Sequence, residues 1–219
     1  MPATTNKDAS AFVLGDHSLG KLRAAIQLCR GCDLYLRATQ AVLGEVEDSK
    51  AKHLQRVEIM MIGEQPGDRE DIEGRPFVGP AGKLLDRCLD EAGIDRGGVY
   101  ITNAVKHFKW EPRGKIRLHK KPSITEVHAC RPWLDAEMDA IKPGLIVCLG
   151  AVAAQSLLGR SFKVTQDHGL IRQIEERPPI MATAHPASIL RARTEEDRHS
   201  KTQLFIEDLR LAARFLRSH

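Results

Sequence analysis

The chain has 219 residues, of which 42% are apolar and 28% charged. That is the balance of an ordinary globular protein, long enough for one domain with a full core. Net charge is only +4, yet between Lys106 and Lys121 seven Lys or Arg stand against one acid, Glu111, a local balance of +6. No run approaches the ~18 apolar residues of a membrane span, and the first 18 residues lack the apolar core of a secretory signal. The expectation is a cytoplasmic protein whose five cysteines have work other than structural disulfides.

Residues 1–17 read as a flexible tail ahead of a single domain over 18–219. Leu19, Leu22, Ile26 and Leu28 predict a short helix running into Cys29-Arg30-Gly31-Cys32. Apolar runs predict strands at 57–62, 99–103, 145–149 and 180–184, with helical spacing at 80–92, 124–141, 151–158 and 200–217. Ser123 followed three residues on by Glu126 is a capping box for the second of these helices. Phe162 to Ile174, with Asp167-His168-Gly169 inside, predicts a hairpin. Strands alternating with helices imply a three-layer α/β/α fold around a mostly parallel four-stranded sheet.

The organising stretch is Gly63-Glu64-Gln65-Pro66-Gly67-Asp68, continuing to Gly74-Arg75-Pro76-Phe77-Val78-Gly79. A strand that breaks into Gly and Pro and restarts as a helix lays its loop at the carboxyl edge of a sheet, where α/β folds bind ligands. The phosphate-cradling GxxxxGK[ST] spacing fails at Phe77 and Leu84, and no G-x-G-x-x-G opens a helix. The other strands end in Asn103, Gly150 and His185-Pro186-Ala187-Ser188. Parallel strands bring these ends together, so Glu64, Gln65, Asn103 and His185 are expected around one pocket. Asp68 is expected as an N-cap.

A concentrated basic stretch on a near-neutral chain is the footprint of a polyanion partner, nucleic acid first. Cys88, on an apolar helix face, and Cys148, inside a strand, read as core residues. Cys29 and Cys32 have the C-x2-C spacing of a metal site, and Cys130 lies in a polar context. These three thiols leave one ligand to find, for zinc or an iron–sulfur cluster.

Taken together, Gly63-Glu64-Gln65-Pro66-Gly67, Gly74-Arg75-Pro76-Phe77-Val78-Gly79, Tyr100-Ile101-Thr102-Asn103-Ala104-Val105-Lys106 and His185-Pro186-Ala187-Ser188 resemble the uracil-DNA glycosylase superfamily. The resemblance is to the iron–sulfur family 4 enzymes, and among them most to the UdgX proteins. It implies a [4Fe–4S] cluster held by Cys29, Cys32, His107 and Cys130, His107 replacing the third cysteine of family 4. It implies a monomer acting on uracil-containing DNA, single-stranded DNA accepted, with the base flipped out of its stack. Phe77 would then stack on the flipped base beside Gly63, Gln65 would line the base pocket, and Asn103 would read the pyrimidine edge. His185 would donate to the departing uracil and Glu64 would stabilise the cationic sugar. UdgX proteins carry a Lys-Arg-Arg-Ile-His motif whose His captures the sugar. Here the stretch is Lys115-Ile116-Arg117-Leu118-His119, so His119 is the expected nucleophile, with Glu64 accepting its ring proton. The alternatives are an ordinary family 4 enzyme using water and a non-catalytic iron–sulfur DNA-binding protein.

Overall fold

The computed structural model describes residues 8–13, 15, 17–46 and 57–218. Seven strands are described: β1 (Glu45–Val46), β2 (Ile59–Gly63), β3 (Val99–Asn103), β4 (Trp110–Arg113), β5 (Ile116–His119), β6 (Leu145–Leu149) and β7 (Ile180–Thr183). The described helices are α1 (Leu19–Ile26), α2 (Asp68–Glu73), α3 (Pro80–Glu91), α4 (Ile124–Ile141), α5 (Ala151–Leu158), α6 (Val164–Asp167), α7 (Pro186–Leu190) and α8 (Glu195–Ser218).

The main sheet has the order β1-β3-β2-β6-β7. Its four longer strands are parallel, as the alternation requires, and β1 adds a two-residue antiparallel edge that no sequence pattern marked. Side chains alternate between two buried faces. Ile59, Met61, Val99, Ile101, Val147 and Met181 pack with α3 and α8, while Met60, Ile62, Tyr100, Ile146 and Ala182 pack with α4 and α5. Three layers result. Cys88 and Cys148 lie in these two cores, 1% and 0% exposed.

The capping box forms: Ser123 Oγ accepts from Glu126 N at 3.2 Å, and Glu126 Oε2 accepts from Ser123 N at 2.6 Å. The segment 162–174 is not a hairpin. It opens as α6, turns at Gly169 (φ +73°) and touches the sheet through a single bridge between Arg172 and Ile180. The His168 ring, tied to Asp208 on α8 at 3.0 Å, holds this segment against a helix instead of a second strand. The hairpin of the molecule lies elsewhere, as β4–β5 in the basic stretch. Of the stretch expected as a tail, residues 1–7, 14 and 16 fall outside the described residues. Ala9 is buried, and its N–H donates to Ala129 O at 2.8 Å.

Candidate active site and metal centre

All four parallel strands release their chains at one edge. There a cavity of about 640 Å³ is walled by Glu64, Glu70, His119, Gly150, His185 and Arg191, among others. Phe77 and Asn103 stand behind the wall, 8% and 1% exposed. Gly63 separates them: a Cβ there would lie 2.4 Å from Asn103 Oδ1 and 2.9 Å from the Phe77 ring, so only glycine fits. Phe77 takes φ +57°, a left-handed conformation costly for a bulky residue. Gly82 at the start of α3 accommodates its backbone, since a Cβ there would fall 1.6 Å from Phe77 O.

His185 N-caps α7, its Nδ1 accepting from Ala187 N at 3.1 Å. The remaining proton of the neutral ring therefore sits on Nε2, available as a donor. Burial first, then the Arg191 charge and His119, pushes His185 down to about 4. At neutral pH it is an uncharged donor. His119 Nε2 lies 3.7 Å from Glu64 Oε1. Burial and Arg191 lower the His119 pKa, opposed by a hydrogen bond to its own backbone carbonyl. Nδ1 is the nitrogen that reaches that carbonyl, so it holds the ring proton and leaves the Nε2 lone pair toward Glu64. Glu64 is therefore not the acceptor of that proton, contrary to the sequence expectation. Its carboxyl is raised by burial, with Lys121 and Arg191 opposing.

Gln65 reaches the cavity wall, but its amide serves the hairpin. Nε2 donates to Lys109 O at 3.2 Å and Lys120 O at 3.0 Å, while Oε1 accepts from Lys109 N at 3.1 Å. Both roots of β4–β5 are thus tied to the Gly63-Glu64-Gln65 turn. Arg117 adds a second tie, with Nε 2.5 Å from Asp68 Oδ1 and Nη1 2.6 Å from Asp71 Oδ2. Asp68 is therefore an ion-pair partner in the first turn of α2, whose N-cap is Gly67. Lys109 Nζ bonds Glu126 Oε2 at 2.8 Å, and Trp110 Nε1 donates to Arg37 O at 2.9 Å. The hairpin is consequently fastened along its inner face, and His119 at its end is aimed at the cavity.

Sequence reasoning passed over Glu70. Its carboxyl accepts from the Gly67 and Phe77 backbones and faces the Asn103 amide, at a distance that leaves Asn103 Nδ2 without a formed hydrogen bond. Burial pushes Glu70 up to about 7 against those contacts. Arg191, exposed at the rim, was also missed. The signal for Glu70 was its place two residues past Asp68, on a helix with one apolar side chain and hence no period.

The expected metal ligands gather on the far side of α4. Cys29 and Cys130 are buried in one apolar cluster with Leu22, Ile26, Val105 and Trp133, and Cys32 packs at its edge. His107 is 5% exposed. Trp133 Nε1 donates to Cys29 Sγ, and Lys106 N donates to Cys130 Sγ, both at 3.2 Å. Such N–H donors favour thiolates. Burial nevertheless pushes Cys130 up to about 12, and the charges of Cys32 and Cys29 would raise it further. These thiols need a cation among them to ionise. His107, pushed by burial down to about 4, offers the neutral imidazole that metals bind. Among the described residues no three such side chains converge as ligands of a single metal ion. A polynuclear cluster takes its ligands at different metals and at wider separation, and the donor set fits one. No described helix is long and apolar enough to cross a membrane.

Comparison with known proteins agrees with this geometry. The profile of the Uracil DNA glycosylase superfamily matches residues 52–210. The chain is 37% identical over 180 residues to the type-4 uracil-DNA glycosylase of Archaeoglobus fulgidus, spanning 79% of this chain and 83% of that protein. It is 37% identical over 181 residues to that of Sulfurisphaera tokodaii, spanning 79% and 76%. Against that of Thermotoga maritima it is 34% identical over 194 residues, spanning 88% and 91%.

Proposed function

The chain belongs to the uracil-DNA glycosylase superfamily, and from that premise we propose that it excises uracil from DNA and is then captured covalently by the abasic sugar through His119. One observation carries the capture: the His119 Nε2 lone pair stands at the cavity wall, 3.7 Å from the Glu64 carboxyl. Asn103, reading the base edge, and Phe77, stacking on the ring, hold the flipped uracil. The glycosidic bond breaks with its electron pair leaving on the uracil, and His185 Nε2–H donates to the O2 on which that charge accumulates. The sugar left behind is oxocarbenium-like, and the Glu64 carboxylate stabilises it. His119 Nε2 then donates its pair to the anomeric carbon, forming a C–N bond. The ring becomes a substituted imidazolium that retains its Nδ1 proton, and Glu64 balances the new charge. An imidazole already held in place by Gln65 and Arg117 competes with water through proximity.

Cys29, Cys32, His107 and Cys130 would hold a [4Fe–4S] cluster. When bound, it cross-links the amino-terminal segment, the root of the basic hairpin and α4. The kinship with the UdgX proteins rests on His107 and His119. The DNA lies along the basic hairpin, single-stranded DNA is accepted, and the chain acts as a monomer.

A second reading, hydrolysis by water with multiple turnovers, is favoured by the names of the type-4 relatives. A denaturing gel separates the two. Wild type mixed with a uracil-bearing single-stranded oligonucleotide should give a band that survives boiling in detergent. His119→Ser should lose that band and still release uracil. Repeated turnover by wild type with no shifted band overturns the capture.

A further inference from the structure

Lys106 and Glu137 are both 0% exposed and form a buried ion pair that the chemistry above does not use. The Lys106 ammonium has three acceptors for its three protons: Thr102 Oγ1 at 2.7 Å, the Asn103 carbonyl at 2.7 Å, and Glu137 Oε2. Glu137 Oε1 in turn accepts from Gly44 N at 2.8 Å and from Tyr100 OH and Thr102 Oγ1, each at 2.9 Å. The network is closed. As a source of stability such a pair is poor, because stripping water from both charges offsets most of their attraction, and an apolar pair of similar volume does as well. What an apolar pair cannot do is aim a particular carbonyl.

That carbonyl belongs to Asn103, the last residue of β3. Beyond it the chain turns through Ala104 and Val105, whose N–H groups donate to Gly63 O at 2.9 Å and Glu64 O at 3.0 Å. Two of the three ties on this turn therefore come from the Gly63-Glu64 motif, and the third comes from Lys106. On the other side, Lys106 O accepts from Val42 N at 2.8 Å, which fixes the lysine's own backbone. The Asn103 side-chain amide, supported by this turn, keeps Nδ2 buried and without a partner. An unpaired buried donor is costly unless a ligand completes it.

We propose that Lys106, held by Glu137, is a positioning residue for base recognition, pinning the Asn103 carbonyl so that the amide of the same residue stays oriented for the edge of a pyrimidine. This rests on the reading of Asn103 as the group that meets the base. The ion pair is thus retained for direction.

Lys106→Met alone would strand a buried carboxylate, so the test variant is Lys106→Met with Glu137→Leu. The readouts are the single-turnover excision rate at saturating DNA, affinity for a uracil-free oligonucleotide, metal content per chain and melting temperature. The expected result is a cooperative melt within a few degrees of wild type, unchanged metal content and DNA affinity, and an excision rate lowered about 100-fold. A folded double variant with a rate within about threefold of wild type overturns the proposal. So does a fall in metal content that accounts for the lost rate, which would make Lys106 a support of the metal centre only. Should the double variant not fold, Thr102→Val removes one of the three acceptors of Lys106 without leaving an unpaired charge. A loss of about tenfold is then expected, and a wild-type rate again overturns the idea. Asn103→Ala run in parallel separates the two levels. If it excises uracil at the wild-type rate, the assignment of Asn103 fails. If it is inactive while the Lys106 variants are fully active, only the positioning role fails.

Discussion

Glu70 offers a test of the site that needs no substrate. Its carboxyl is raised from 4.5 to about 7, chiefly by burial. A group with a raised folded-state pKa binds its proton more tightly when folded. Its contribution to stability is therefore complete below pH 4.5 and is lost as pH rises through about 7. At about 1.4 kcal/mol per pH unit the full shift corresponds to about 3 kcal/mol. Glu70 is only partly buried, and solvent screening brings the expected effect to about 1–2 kcal/mol. Glu70→Gln keeps an oxygen for the Gly67 and Phe77 N–H groups and removes the titration. Melting curves of wild type and variant at pH 5 and pH 8 isolate the effect, because every other ionisable group cancels in the difference. The variant should gain on wild type between the two pH values by about 2–8 °C, at the ~2–4 °C per kcal/mol typical of a chain this long. An advantage that is the same at both pH values, or larger at pH 5, refutes a buried, raised carboxyl beside Asn103.

Other consequences follow from the same geometry. The lowered pKa of His119 keeps its ring neutral at physiological pH, so adduct yield on uracil-bearing DNA should be flat from pH 8 to about 6.5, the model imidazole value, and fall only in more acidic buffer. Inflection well above that value would contradict burial of the ring. Arg117→Ala or Gln65→Ala unfastens the hairpin and should lower the rate of adduct formation about tenfold while uracil release changes less; quenched-flow sampling on gels reads both. Gly63→Ala drives a methyl into Asn103 and Phe77 and should cost at least about 100-fold in excision, the scale of a misplaced reacting geometry, with little change in affinity for uracil-free DNA.

The sheet was legible because its strands are buried on both faces and read as uninterrupted apolar runs: 99–103 and 145–149 coincide with the strands observed. Helices 124–141 and 151–158 were equally plain, the first with its capping box. The site residues at strand ends followed from topology alone. What stayed hidden has a common cause. β1 has two residues, α2 has one apolar side chain, and β4–β5 carries charges on both faces, so none shows a hydrophobic period. Tertiary partners decide these elements: Arg117 finds Asp68 and Asp71, and the backbone of the hairpin roots finds Gln65. The misread 162–174 segment is the same case, since the Asp208 that holds His168 lies 40 residues away.

The hairpin also decides what the two departures from the expected Lys-Arg-Arg-Ile-His motif mean. Successive residues of a strand face opposite sides. Arg117 and His119 share the inner face of β5, meeting Asp68, Asp71 and Glu64. Ile116 and Leu118 share the outer face, 68% and 39% exposed. Both substitutions therefore fall where neither the tether nor the imidazole is touched. The cation lost at position 116 is lost from the solvent side, where its reach is toward phosphates and not toward the cavity. Losing a phosphate contact weakens DNA binding and its salt dependence but leaves His119 aimed at the sugar. Capture and DNA affinity are thus carried by opposite faces of one four-residue strand, and the sequence departs from the motif only on the face that holds DNA.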